Sequence, residues 1–537
     1  MLWFEACSYY ARMAWGLRET IREPSHPDPA AVLSDQLQNR ERRFLDLLAK
    51  VVFRDPSHPY AQMFAEARCG FADVESLVRS CGLDRALETL RQSGVFLSHD
   101  EFKGTQPIVR NGRHISATTR SFRNPLVSNR LETSSSGGLN RGTSIGTNPQ
   151  LRAYQSCYES LAFSDLGAWD RSWFILAPTL PSVYGFSRAF FGHNMGLPAE
   201  RWYAVAGTFK DSGHYRAVTR LLWLEARAMG VRMPPLQFLP QNDFGPVAEA
   251  IAKARQRGRL SFVTGVASSC VRVAAAALER GLDISGARFV TSGEALTPAK
   301  AAVIHNAGAE VFATYKTVEF GTIGLSCSRY GGINTVHHFR DAVAIVTRRS
   351  QAADSEIEVN SMLLTSLLPF SRCFVINLEI GDHGVMSPSQ CDCVFSKLGF
   401  TSVISDMYSY TKLTSHGMTL PASGIVAILE GVLPARFGGS PVDYQLVEQD
   451  AGSGTRIALR VNPRIGEVRA DQIRDCFLGE ISKLYGGTLA NRIWRHAGSL
   501  EILAEPPIVG RTGKILPLVL LGLRKPLTAA AGAVDAS

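Results

Sequence analysis

No stretch of this 537-residue sequence has the length and apolarity of a bilayer span. The apolar run "ILPLVLLGL" is too short, and "MLWFEACSYYARMAWGLRE" is interrupted by Glu5, Arg12 and Arg18, so it reads as neither a signal h-region nor a span. No Lys/Arg tract is present either. The formal net charge of +9 is spread along the chain, which argues against a nucleic-acid partner and for an anionic ligand such as a nucleotide. Ten cysteines in a chain this long are too sparse for a disulfide framework and suit a reducing cytoplasm. No internal repeat is visible. What remains is ordinary globular composition, 45% apolar and 20% charged, with enough length to bury a large core in several structural units. A soluble, cytoplasmic protein with no membrane span is expected.

The order of the elements is more informative. Residues 32–100 read as helical: Leu37, Phe44, Leu45, Leu47, Leu48 and Val51 fall near one face of a 3.6-residue period, and "DPSHPY" breaks the pattern. From about 245 the sequence alternates. "GPVAEAIAKARQRG" is a helix ending in glycine, "RLSFVTGV" a buried strand and "SSCVRVAAAALERG" a second helix. The strand "ARFVTSG", the helix "LTPAKAAVIHNAG" and the strand "AEVFATY" follow. Such alternation predicts βαβ units on a parallel sheet, whose ligands bind beyond the carboxyl ends of the strands. "SGEAL" (292–296) and "YKTVEFGTIG" (315–324) lie at such ends. From about 406 the pattern is that of a smaller α/β unit ending in "PPIVGRTGKILPL", a loop with the single lysine Lys514.

"LETSSSGGLNRGTSIG" (131–146) places four glycines and six hydroxyl residues in sixteen positions. Each glycine costs extra backbone entropy on folding, so the stretch is either a linker or a loop that wraps phosphate. Gly137 and Gly142 have Walker A spacing, but Thr143 stands where the phosphate lysine belongs.

Taken in order, the hydroxyl/Gly loop, "SGEAL", Tyr-x-x-x-Glu, "GD" and "GK" resemble the adenylate-forming superfamily of acyl-CoA ligases and adenylation domains, with the nearest likeness to the phenylacetate–CoA ligase group. The resemblance spans roughly residues 40–517. It implies an α/β fold, with a large multi-sheet adenylation domain at 1–405 whose helical lead-in covers about 1–100. A small mobile α/β domain at 406–537 completes it. It implies ATP and Mg²⁺ as cofactors. Thr133, Ser134, Ser136, Gly137, Gly138 and Arg141 would donate to phosphates, and Gly293 and Glu294 would form the adenine loop. Tyr315 would stack on adenine, Asp382 would accept from the ribose hydroxyls, Glu319 would hold Mg²⁺, and Lys514 would bridge the acid and the α-phosphate. The acid pocket would be lined from 184–196 and 264–270, where phenylalanines hint at an aryl or acyl group.

The chain departs from the family pattern at several points. Lys316 replaces a glycine, Val318 a phosphate-binding threonine and Ser135 a loop glycine. The loss at 318 should weaken the grip on ATP or hand the task to Lys316. The hinge motif is reduced to "TSVISDMYSY", keeping Asp406 and Met407. Cys327, Cys391, Cys393 and the pair His337–His338 supply a four-ligand set for structural zinc, an arrangement similar to one in the phenylacetate ligase group. Buried thiols beside surface histidines are the alternative. The expected function is activation of an aryl or acyl carboxylic acid to an acyl-adenylate, then transfer to CoA or another thiol or amine, as an acid–thiol ligase. A non-catalytic relative binding nucleotide or acyl-adenylate is the alternative. Expected partners are the acid and CoA or a carrier thiol or amine, with a homodimer left open.

Overall fold

A computed structural model of the chain describes residues 15–16, 18–19, 21, 26–127, 131–134, 144–180, 182–205, 212–240, 243–329, 332–351, 358–409, 413–415, 418–420, 422–450, 455–484, 491, 494–495, 500–510 and 513–521.

The α/β alternation builds half of one large sheet. In chain order its strands are β1 Ser172–Pro178, β2 Arg201–Val205, β3 Leu236–Phe238, β4 Ser261–Val266, β5 Arg288–Ser292, β6 Glu310–Thr317, β7 Gly321–Leu325, β8 Val336–His338, β9 Val343–Gln351, β10 Glu358–Ser366, β11 Leu378–Pro388 and β12 Ser402–Ser409. These twelve strands lie in the order β9-β10-β11-β12-β8-β7-β6-β5-β4-β1-β2-β3. From β6 to β3 every pairing is parallel. From β6 to β9 every pairing is antiparallel. β1 and β4 are buried along their whole length, as strands covered on both faces must be.

The covering helices include α1 Pro149–Asp165, α2 Tyr184–Asn194, α3 Gly245–Gln256, α4 Ala267–Glu279 and α5 Pro298–Asn306. α5 shows how local sequence sets their limits. Thr297 caps its first turn by accepting from Lys300 N at 3.3 Å, Pro298 occupies the first helical position, and Gly308 leaves the helix at φ +77°.

The helical start of the chain packs on the antiparallel half, where Phe44, Leu48, Tyr60 and Phe64 share a core with Ile323, Leu364 and Phe374. The single helix expected over 37–51 is divided. Helices at Pro29–Gln38 and Arg40–Leu47 flank Asn39, and a π-helical stretch follows at Leu48–Phe53. The Asn39 amide donates back to Asp35 O at 2.9 Å and to its carboxylate at 2.8 Å, which competes with the helix ladder.

At the other end, β13 Tyr444–Asp450, β14 Thr455–Val461, β15 Leu500–Leu503 and β16 Leu518–Leu521 form a four-stranded sheet in the order β15-β14-β13-β16. It has a core of its own around Leu429, Tyr444, Leu459, Phe477 and Trp494. Val442, Val509 and Ile515 instead join the core of the parallel half, beside Phe174, Val263 and Cys270. Among the described residues no helix is long and apolar enough to cross a membrane.

Candidate functional site

The loop leaving β5 is shaped by Gly293, whose φ of +80° is open to glycine and strained for other residues. Space imposes the same choice: a Cβ there would stand 2.9 Å from Lys514 Cε and 3.0 Å from Nζ. Lys514 is therefore laid across this loop, although the two lie 221 positions apart in sequence. Burial pushes the Lys514 pKa down, and the Glu294 carboxylate works against that shift.

Ser268, at the start of α4, ties these segments together. Its backbone N–H and hydroxyl donate to Glu294 at 2.9 and 2.8 Å, and its Oγ accepts from Ile515 N at 3.2 Å. Gln445 splints the Lys514 loop from the other side. It donates to Ile508 O at 3.1 Å and Leu516 O at 2.8 Å, and accepts from Ile508 N at 2.7 Å. Gln445 belongs to no sequence motif, and Ser268 is reached from the sequence only as one member of the 264–270 stretch. Gln445 is one of four polar residues in "DYQLVEQ" and nothing local sets it apart from the others.

Tyr315 lies near the end of β6, and its hydroxyl donates to Asp382 Oδ2 at 2.8 Å. Burial and the adjacent Asp382 carboxylate both raise the Tyr315 pKa. Asp382 sits on β11 opposite Ser409 of β12, just after Gly381 at φ +84°. The two residues expected to hold adenine and ribose are thus hydrogen-bonded neighbours. Glu319, in the turn between β6 and β7, pairs with Lys103 at 3.5 Å. The preceding carbonyl, of Val318, accepts from Arg372 Nη1 at 2.8 Å.

Lys316 is placed differently from expectation. Its ammonium is bonded to the buried carboxylate of Glu159 on α1, which also accepts from Arg188 Nη2 at 2.5 Å. Burial works to raise the Glu159 pKa, but Arg188 and Lys316 outweigh it and hold it at about 2. The lysine is a counter-ion of Glu159, so it is not the substitute for the missing threonine hydroxyl. Glu159 and Arg188 carry no motif, and their pairing with Lys316 spans too much sequence for periodicity to reveal.

The phenylalanines of 184–196 are also differently placed. Phe186 packs edge-on against Trp202 and Phe191 against Phe163, with ring centroids 5.2 Å apart in each case. They fill the core between α2 and the sheet and give no indication of an aryl substrate. From this stretch Tyr184 reaches the loop, with its hydroxyl 3.4 Å from Ser292 Oγ. A cavity of about 510 Å³ lies at the opposite edge of the sheet, lined by Arg201, Gln237, Lys253 and Arg259 among others, and contains none of these residues.

Of the hydroxyl/Gly loop, Ser136, Gly137, Gly138 and Arg141 lie outside the described residues. Thr133 and Ser134 belong to an antiparallel hairpin of Leu131–Ser134 with Ser144–Thr147. Asn148 follows directly and caps α1, accepting from Leu151 N at 3.2 Å.

The cysteine cluster assembles. One ligand atom from each of Cys327, His337, Cys391 and Cys393 lies within 4.8 Å of all the others. The Cys327 and Cys391 sulfurs are 3.8 Å apart, and His337 Nε2 is 3.2 Å from both the Cys391 and the Cys393 sulfur. Tetrahedral zinc with Zn–S of about 2.3 Å and Zn–N of about 2.0 Å requires separations of roughly 3.5 to 3.8 Å. The Cys327–Cys391 spacing matches and His337 Nε2 stands a few tenths of an ångström closer to its two sulfurs, so small side-chain shifts would seat the ion. His337 Nδ1 is 3.3 Å from Phe400 O, a contact that leaves Nε2 to face the thiols. His338, named with its neighbour from the sequence, is not a ligand. β8 turns it to the other face of the sheet, where its nitrogens meet Val343 O at 2.7 Å and Ser402 Oγ at 3.3 Å.

No protein-family model matches the chain, and no curated protein matches it. Solved structures do. 2-Hydroxyisobutyryl-CoA ligase, in the postadenylation state with R3-HIB-AMP, superposes with a TM-score of 0.50 at 14% identity, over 90% of this chain and 89% of that one. An open conformation of the same ligase with 2-HIB-AMP and CoA gives 0.41 at 14% identity, over 90% and 92%. The anthranilate CoA ligase bound to anthranoyl-AMP gives 0.41 at 10% identity, over 72% and 65%. At such identities the likeness is one of fold alone: the chain shares the α/β fold of the first of these ligases over most of its length.

Proposed function

We propose that the protein uses ATP to activate an organic carboxylic acid as an acyl-adenylate and passes the acyl group to CoA or another thiol or amine. The observation that carries this reading is the seating of Lys514 against Gly293, next to Glu294, because a cation held there serves the first half-reaction. In that step an acid oxygen attacks the α-phosphorus, the bond to the bridging oxygen breaks, and pyrophosphate leaves with the electron pair. The barrier is chiefly crowding of negative charge. Lys514 would neutralise it between the acid and the α-phosphate. Tyr315 and Asp382 would take adenine and ribose. Glu319, an oxygen donor beside Lys103, suits Mg²⁺, which would screen the phosphates. The segment 406–537 would act as the small mobile unit that brings Lys514 in and later withdraws it. Pyrophosphate and AMP appearing only when a suitable acid is added, across a panel of aryl, fatty and amino acids, would support this reading. The replacement of a threonine by Val318, with Lys316 committed to Glu159, favours a second reading as a non-catalytic nucleotide-binding protein. Tight ATP binding without turnover on any acid decides for it.

The Cys327, His337, Cys391 and Cys393 set would hold structural zinc and pin the segment after β11 to β7 and β8. Four protein ligands leave no open position for chemistry. Elemental analysis should then find about one zinc per chain. Cys393→Ser is expected to lose it and to lower the melting temperature on the order of 5 °C or more. Purified wild-type protein with no zinc, or a variant that melts unchanged, contradicts the assignment.

A further inference from the structure

On α1, Arg152, Gln155 and Glu159 are three and four residues apart and share one face. That face lies against the β6–β7 turn. Glu159 meets Lys316 there, and Gln155 Nε2 approaches Phe320 O at 3.4 Å, so closely that Gly321 has no room for a Cβ. Arg152 is one turn nearer the start of the helix, on the side where the 131–147 hairpin joins α1.

The charges here do not balance. Glu159 is shared by Arg188 and Lys316. Arg152, half-buried, forms no ion pair among the described residues. Burial and the charges of Arg372 and Arg188 push its pKa down to about 10, with Glu159 opposing. Arg372 donates Nη1 to Val318 O, but its Nε is buried and meets no acceptor, and the same holds for Arg188 Nε. Arg152, Arg188 and Lys316 thus share the one carboxylate of Glu159, while Arg372, beside Arg152, has only Glu319 near it, and that carboxylate is already paired with Lys103. Holding surplus positive charge partly out of water is costly unless an anion completes it. Guanidinium groups take phosphate oxygens in two-pronged fashion, which makes a polyphosphate a fitting anion.

Building on the adenylation reading above, we infer that Arg152 and Arg372 form the site for the β- and γ-phosphates of ATP, and so for the pyrophosphate that leaves. The adenosine end is assigned to Tyr315 and Asp382. Lys316, the next residue on β6, bonds Glu159 instead, with a break in the strand register between the two, so the arginine cluster adjoins the nucleoside end where β6 closes. Glu319 stands in the turn that follows β6, paired with Lys103 at the end of the helix His99–Lys103. As the bond from the α-phosphorus to the bridging oxygen breaks, the negative charge gained by the leaving group falls beside these two guanidinium groups. This offsets the hydroxyl lost at Val318.

The test is calorimetric titration of the full chain with Mg²⁺-ATP, inorganic pyrophosphate and AMP, for wild type, Arg152→Gln and Arg372→Gln. Each variant is expected to weaken ATP and pyrophosphate by about tenfold to a hundredfold and to leave AMP within about twofold, as removing a charge-assisted contact to those phosphates alone would do. Arg152→Lys, which keeps the charge and loses the fork, should fall between, and it carries the test if the glutamine variant does not fold. Equal losses for ATP and AMP, or no loss for either, overturn the inference. A wild-type chain that binds neither nucleotide overturns the ligase reading itself, and the inference falls with it.

Discussion

Lys514→Ala should lower the rate of acyl-adenylate formation by roughly two orders of magnitude or more, the scale seen when one preorganised donor to a developing charge is removed. The affinity for ATP should change little, because the groups proposed for adenine and ribose lie on β6 and β11 of the large sheet. Acyl transfer from a supplied acyl-adenylate should largely survive, since the role proposed for the lysine is in the first half-reaction. The structure adds a companion variant. Gly293→Ala places a methyl 2.9 Å from Lys514 Cε at a backbone φ of +80°. It should therefore push the lysine off the loop and reproduce much of the Lys514→Ala defect with the lysine still present. Single-turnover assays of the two half-reactions separate these effects. If Lys514→Ala adenylates at the wild-type rate, Lys514 is a bystander.

Glu430→Gln should unsettle the C-terminal segment by about 3 to 5 kcal/mol, the usual cost of stranding one member of a buried ion pair. Lys300 on α5 and Glu430, in the π-helical stretch Ile428–Val432, are bridged at 2.9 Å with side chains only 3% and 2% exposed. The Thr297 hydroxyl bonds the same carboxylate. Burial alone would lower the Lys300 pKa, but Glu430 and Glu294 raise it overall. Stability from this pair is therefore full below the ordinary lysine pKa and is lost as pH rises through the raised one. The bridge joins the two cores, so its loss should free the C-terminal segment before the large sheet melts. Faster limited proteolysis and a lower first melting transition would report this. Adenylation should fall with it, because Lys514 depends on the same docking. Replacing both partners, Lys300→Met with Glu430→Leu, should recover stability, since an apolar pair avoids the stranded charge. If the single variants melt and adenylate like wild type, the bridge does not hold the segment in place.

The parts of this architecture that could be read from sequence are those written locally. Strands β4, β5 and β6 and helices α3, α4 and α5 declare themselves through apolar runs, caps and terminal glycines, because their limits depend on neighbours a few residues away. Cys391 and Cys393 stand out among ten cysteines by their C-x-C spacing, and the resemblance supports joining Cys327 and the histidine pair to them. Adjacency groups His338 with His337 in the sequence, and it says nothing about which face of a strand a side chain occupies until the pairing of β8 is known. The counter-ion role of Lys316 was hidden for a related reason. It depends on Glu159 and Arg188, on two helices that meet β6 only after the sheet has formed. The split at Asn39 and the π-helical stretch carrying Glu430 follow from side-chain hydrogen bonds and packing that override a smooth helical period.

The central claim is formation of an acyl-adenylate, and exchange of labelled pyrophosphate into ATP reports that step alone, whatever the acceptor. With aryl, fatty and amino acids supplied in turn, acid-dependent exchange is predicted for at least one class, abolished by Lys514→Ala and unaffected by leaving CoA out. Absence of exchange with every acid, from a chain that is folded and binds ATP, would contradict the account.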